Sequence, residues 1–146
     1  MKHIGELIEG QTLTVIEPGW SVRSAAQRMA EKNIGAVAVV DQGALAGVFS
    51  ERDIMSRVVA KGLNPDSTEV SDVMSRELVV AAPSEDVLTA IQKMHSINSR
   101  HLPVVDEGKL VGMISIRDLL EVDDRDQRAK ATFLSELVRY SPDYES

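Results

Sequence analysis

The chain has 146 residues, 43% apolar and 27% charged, with a formal charge of −7 and a pI near 4.9. That is enough for one compact domain or two very small ones sharing a core, and it argues against a general nucleic-acid or anionic-membrane surface. There is no cysteine, which excludes disulfides, thiolate metal sites and a cysteine nucleophile, and only 3% of residues are aromatic, so an aliphatic core is expected.

The first segment, Met1 to Gln11, carries Glu6 and Glu9 and no long apolar stretch, so it does not read as a signal peptide. No apolar run approaches the ~18 residues of a membrane span, and a soluble, cytoplasmic protein is expected. A short strand is predicted near Leu13 to Ile16, ended by Pro18, which has no N–H for a ladder. A helix follows, with Val22, Ala25, Ala26, Met29 and Ala30 forming one apolar stripe. The run Ala36 to Val40 is a strand. Asp41-Gln42-Gly43 is a hairpin turn in which the glycine takes positive φ, and Leu45 to Phe49 is the return strand. A second helix is predicted after Ser50. Gly62, Asn64 and Pro65 mark Ala60 to Thr68 as a connector.

The pattern then repeats. Offset by 65 residues, the stretch Val15 to Asp53 matches its copy at 16 of 39 positions without a gap. This is internal duplication. The copies are a strand near Leu78 to Ala81, a helix striped by Val87, Ala90, Ile91 and Met94, and strands Leu102 to Val105 and Leu110 to Ile114, joined by Asp106-Glu107-Gly108. Each unit is β-α-β-β-α. Fifty residues bury too little surface alone, so two copies packed with pseudo-two-fold symmetry are expected, an α+β fold. The boundaries are 1–62 for the first repeat, 63–122 for the second and 123–146 for a C-terminal helical tail, in which Ala129, Phe133 and Leu137 share a face.

The duplicated cluster Gly-x-x-Ser-x-Arg-Asp, Gly47 to Asp53 and Gly112 to Asp118, stands where a strand passes into a helix. One reading is a helix cap, with Ser50 or Ser115 accepting from free N–H groups and the acid favouring the positive helix end. The other is a ligand site, in which free N–H groups, a hydroxyl and an arginine take an anion and a carboxylate accepts from vicinal ribose hydroxyls. Phosphate and ribose together suggest a nucleotide. The second unit adds Ser99, Arg100 and His101 where the first has Ile34, Gly35 and Ala36. An Arg-His pair at a strand start is usually a solvated edge, but here it breaks the repeat symmetry with positive charge. His3, His95 and His101 lack metal-ligand spacing, so no metal is expected. His95 reads as half-buried packing, and Trp20 as a lid or dimer contact. No phosphate-binding glycine loop or serine elbow is present.

Two such units resemble a tandem pair of CBS domains, the family named for cystathionine β-synthase. Ile34 to Asp41, Arg100 to Asp106 and the lead-ins Ile4 to Ile8 and Val70 to Met74 match as well, so the resemblance runs to about Val122. It implies a regulatory nucleotide-binding (Bateman) module that senses energy or redox state, not an enzyme. The implied ligand is AMP first, with ATP, ADP, NAD(H) or S-adenosylmethionine next. It also implies a disc-like homodimer and, since no catalytic or transporter domain accompanies the pair, action in trans on an unidentified partner, with no membrane and no nucleic acid involved. Carried over residue by residue, the main pocket takes Ile16, Glu17, Ile34 and Gly35 around the base. Ser115, Arg117 and Asp118 lie near ribose and phosphate, Arg100 and His101 on phosphate, and Met113 beside them. The second pocket takes Ala36, Val48, Ser50, Arg52, Asp53, Ala81, Ala82 and Ser99, with Arg100 reaching across. Many family members carry threonine where Ser50 and Ser115 stand; serine keeps the hydroxyl. Repeat 1 has no equivalent of Arg100 and His101, so the Asp53 pocket is expected to favour a less charged ligand or stay empty. Two rival classes are a ligand-free interaction scaffold, which retention of both aspartates disfavours, and an enzyme pairing His101 with Asp118, which the missing nucleophile–base pair and metal cluster disfavour. A lone pair would leave apolar surface such as Val58, Val59, Leu119 and Leu120 uncovered, so a homodimer is expected.

Overall fold

The structure, a computed structural model, describes residues 3–121, 131, 134 and 135. In chain order its elements are α1 (Ile4–Leu7), β1 (Val15–Ile16), α2 (Val22–Lys32), β2 (Ala36–Asp41), β3 (Ala44–Ser50), α3 (Glu51–Asp53) running into a π-helical stretch (Ile54–Val59), α4 (Val70–Val73), α5 (Val87–Ser96), β4 (His101–Asp106), β5 (Lys109–Ser115) and a 3-10 turn (Asp118–Glu121). They form two compact units: Leu13–Leu78, and Met1–Thr12 joined to the chain from Val79 onward.

In the Leu13–Leu78 unit, β2 lies between β1, which is parallel to it, and β3, which is antiparallel. Helix α2 starts where the Ser21 hydroxyl accepts the Ser24 N–H (3.1 Å), and stops at Asn33, which turns left-handed at φ 54°. Val22, Ala25 and Met29 are buried, whereas Ala30, the predicted end of the stripe, is exposed. Their core partners are Ile16, Val37, Val39 and Phe49.

The second unit repeats the hairpin as β4 and β5 and the helix as α5, capped by Asp86 accepting from the Thr89 N–H at 2.9 Å. That N–H holds the Asp86 carboxyl below the usual carboxylate range. All four predicted stripe residues, Val87, Ala90, Ile91 and Met94, are buried, beside Leu102, Val104 and Ile114. Both hairpins close on two residues at positive φ, Gln42 and Gly43 (50° and 84°) and Glu107 and Gly108 (50° and 78°). This is the turn whose twist matches that of its strands. Each hairpin bulges at one place: Val39 faces Gly47 but Val40 faces Leu45, and Val104 faces Gly112 but Val105 faces Leu110.

The predicted strand Leu78 to Ala81 reduces to a single parallel bridge, Ala81 with Val104. The Ala81 N–H donates to Pro103 O and the Val105 N–H to Ala81 O, both at 2.9 Å. The next bond toward Val79 would need an N–H from Pro103, which has none. In the other unit Ala38 stands at that position and β1 forms. The predicted second helices differ as well. After Ser50 the chain makes a short α turn and then π winding, with the Ala60 N–H on Met55 O at 2.9 Å. The described part after Ser115 is a 3-10 turn. The predicted tail helix over 123–140 falls, apart from three positions, outside the described residues.

The compact units are staggered from the sequence repeats 1–62 and 63–122, because each lead-in packs with the other repeat's hairpin. Ile4 is fully buried with Ile91 and Ile114, and the Ile4 and Gly5 N–H groups donate to Glu85 O (2.8 Å) and Pro83 O (2.9 Å). In the same way Val70, Val73 and Met74 join Phe49, and the Val70 and Ser71 N–H groups donate to Trp20 O (2.9 Å) and Pro18 O (3.0 Å). Burying an Ile or Val side chain contributes about 1.5–3 kcal/mol, so these short segments are firmly seated. The repeated glycines make the seating possible. A Cβ on Gly47 would lie 2.8 Å from both Met74 Sδ and Ser75 O, and one on Gly112 would lie 2.9 Å from Ile8 Cδ1.

Candidate functional site

Each Ser-x-x-Asp cluster forms a reciprocal cap. Asp53 Oδ2 accepts the Ser50 N–H (2.9 Å) while Ser50 Oγ accepts the Asp53 N–H (3.2 Å); for Ser115 and Asp118 the distances are 2.8 and 3.1 Å. The capping reading therefore describes both repeats. The clusters are anchored alike to the start of the preceding hairpin strand, with the Glu51 N–H on Gly35 O (2.9 Å) and the Ile116 N–H on Arg100 O (2.8 Å).

Beyond the caps the two aspartates differ. Asp53 is 5% exposed, the one charged residue buried among those described. Its second oxygen, Oδ1, accepts from the Ser75 hydroxyl at 3.2 Å and lies 3.7 Å from Arg57 Nε. Arg57 also reaches the lead-in, donating through Nη1 to Val73 O (3.3 Å) and Met74 O (3.0 Å). Asp118 is half-buried, and among the described residues its Oδ1 takes no hydrogen bond.

His101 opens β4 directly across from Ser115 on β5. Burial pushes its pKa down from 6.5 to about 4; the Asp118 carboxylate opposes this, while Arg100 and Arg117 act with burial. The imidazole is thus neutral at pH 7, which corrects the expectation that His101 adds positive charge. Among the described residues the cations that act on His101 are Arg100, half-buried, and Arg117, exposed. Ser99 shapes the approach to β4, its hydroxyl accepting the His101 N–H (3.2 Å) and donating to His101 O (2.9 Å).

The remaining candidates divide between the units. Ile16 and Ala81 are core residues of their own units and Ala36 is buried, so these positions offer backbone and not side chain. Glu17 is exposed, and Ile34, Gly35, Val48 and Arg52 are partly exposed in the first unit, as Ala82 is in the second. The Ala82 N–H is taken by Glu85 Oε1 at 3.1 Å. Met113 has both backbone groups engaged by the Gln11 carboxamide, its N–H at 2.9 Å and its O at 2.8 Å. That amide replaces the backbone bridge which Ser75 makes to Val48 in the other unit.

Sequence reasoning missed Ser75, Arg57 and Gln11. Only Arg57 carried a readable signal, four residues beyond Asp53 on the same turn. Three other expectations change. His95 is exposed. Trp20 packs on its own unit's core with the Arg28 guanidinium 5.2 Å from the ring centroid, a cation–π contact and not a lid. Val58 and Leu119 are buried in their own cores, while Met55 and Val59 are the exposed apolar residues of the π-helical stretch.

A profile of the CBS domain matches residues 8–60 and 70–125. The chain belongs to the CBS domain family. It carries a tandem pair of CBS repeats, a regulatory module. The CBS domain-containing protein YhcV of Bacillus subtilis is 39% identical over 119 residues, covering 82% of this chain and 84% of the relative. The mitochondrial CBS domain-containing protein CBSX3 of Arabidopsis thaliana is 32% identical over 144 residues, covering 95% and 69%. A solved CBS domain protein of Pyrobaculum aerophilum, complexed with AMP, superposes with a TM-score of 0.78 at 28% identity, covering 89% of this chain and 98% of that one. Among the described residues no helix is long and apolar enough to cross a membrane.

Proposed function

We propose that this CBS pair senses an adenosine nucleotide, AMP before ATP, ADP, NAD(H) or S-adenosylmethionine, through the carboxylate of Asp118. The observation that carries this reading is that, among the described residues, nothing donates to Oδ1 of Asp118. The cap orients the carboxylate through Oδ2 and leaves its other oxygen to accept from vicinal ribose hydroxyls. Arg117 and Arg100 supply charge for phosphate, and neutral His101 supplies a hydrogen bond without competing charge. The AMP bound to the Pyrobaculum aerophilum relative supports the ligand class. In this reading the ligand-bound module acts on a partner protein in the cytoplasm, and two copies pair through the face bearing Met55 and Val59, which are 58% and 70% exposed.

Thermal shift and titration calorimetry with adenosine compounds test the proposal. Ligand at 100 times Kd stabilises a single site by about 2.7 kcal/mol. That raises Tm by roughly 5–10 °C. Asp118→Ala removes an acceptor whose charged hydrogen bonds contribute about 1.5–3 kcal/mol each, so affinity falls at least about tenfold. Asp53→Ala changes AMP affinity less. No shift with any adenosine compound at millimolar concentration leaves the ligand-free scaffold as the reading.

A further inference from the structure

We propose that Ser75 is a specificity-determining residue that closes the Asp53 site to ribose and makes the two repeats unequal. The inference rests on the nucleotide reading above. The two caps are alike, so the difference lies in what else each carboxylate binds. A carboxylate offers about four acceptor positions. At Asp118, among the described residues, one is taken, by the Ser115 N–H. At Asp53 the Ser50 N–H, the Ser75 hydroxyl and the Arg57 Nε all face the two oxygens, and the residue is 5% exposed. A ribose hydroxyl approaching Oδ1 must compete with Ser75 and Arg57 for a buried oxygen.

Ser75 cannot drift away from Asp53. Its backbone is held on β3 by a reciprocal pair, the Val48 N–H on Ser75 O (3.0 Å) and the Ser75 N–H on Val48 O (2.9 Å). Its lead-in is clamped by Arg57 through Val73 O and Met74 O. Gly47 lets the segment come this close. Among the described residues nothing comparable stands in the other unit. There the lead-in ends in Glu9-Gly10-Gln11, Gln11 engages Met113, and among the described residues no hydroxyl reaches Asp118 Oδ1. Four residues beyond Asp118 the sequence has Val122 where Arg57 follows Asp53.

The test is AMP titration calorimetry on the full chain in an Asp118→Ala background, where binding reports on Asp53. Adding Ser75→Ala, or Ser75→Gly as a second route to the same loss, keeps the backbone bridge and frees Oδ1. AMP affinity then rises about tenfold, the size of one hydrogen bond to a charged group. Ser75→Thr, which keeps the hydroxyl, gives no rise, and adding Asp53→Ala removes it. A merely structural role for Ser75 would lower stability and leave affinity flat or reduced. If the wild-type chain binds AMP but neither Ser75 variant strengthens binding, or if the gain survives Asp53→Ala, the inference is wrong and the nucleotide reading stands. If neither wild type nor variants bind any adenosine compound, the nucleotide reading itself fails, and the inference with it.

Discussion

Replacing His101 with glutamine should remove a step of acid sensitivity from this protein. In the folded chain burial holds the imidazole neutral, so it takes its proton only near pH 4, against 6.5 for an ordinary histidine. Burial opposes the proton, Asp118 favours it, and burial, helped by Arg100 and Arg117, wins. The unfolded chain therefore binds the proton first as pH falls. The stabilisation is fully present above about pH 6.5 and is lost progressively down to about pH 4. Each unit of difference is worth 1.36 kcal/mol, so the full step is about 3 kcal/mol. Between pH 7 and pH 5 the loss is about 2 kcal/mol, a fall in Tm of about 6 °C for a chain of this size. Urea melts of wild type and His101→Gln at pH 7, 6 and 5 separate this from every pH effect that both proteins share. The wild type should lose about 2 kcal/mol more than the variant over that range. Parallel losses would refute the reasoning, as would a proton NMR midpoint for His101 between 6 and 7.

The two repeated glycines should respond unequally to alanine. At Gly47 the new Cβ meets the Ser75 carbonyl, held in place by Val48, so Gly47→Ala should cost about 2–3 kcal/mol in denaturant melts. At Gly112 it meets the side-chain ends of Ile8 and Gln11, which can shift, so the cost there should be about 1 kcal/mol. Without ligand, Asp53→Ala should destabilise more than Asp118→Ala. The first loses a buried cap, leaves the Ser75 hydroxyl without its acceptor and removes the Arg57 ion pair, about 2–3 kcal/mol, whereas the second loses a half-exposed cap, about 1 kcal/mol. The stability order is thus the reverse of the expected order for AMP affinity, and equal melts for the two variants would contradict the difference in their surroundings.

Asp53 and Asp118 show how far one chain of letters carries. The repeat, the helix stripes, the hairpin turns and the caps were all legible, because each depends on residues within a few positions of one another. Val87, Ala90, Ile91 and Met94 must share a face of any helix they form, and Ser50 with Asp53 must meet at any helix start. The duplication made the pattern twice as readable and led directly to the family. It also suggested two sites, made unequal by Arg100 and His101, but what each aspartate touches beyond its cap lay outside local rules. Which lead-in packs on which hairpin is a choice between distant segments, and it is made by burial of Ile4 and Val70 and by the room at Gly112 and Gly47. That choice brings Ser75 onto Asp53 across 22 positions and Gln11 onto Met113 across 102. Among the described residues it also leaves Oδ1 of Asp118 without a hydrogen bond. The state of His101 belongs to the same class, since an Arg-His pair reads as positive until tertiary burial removes the water that would stabilise its charge.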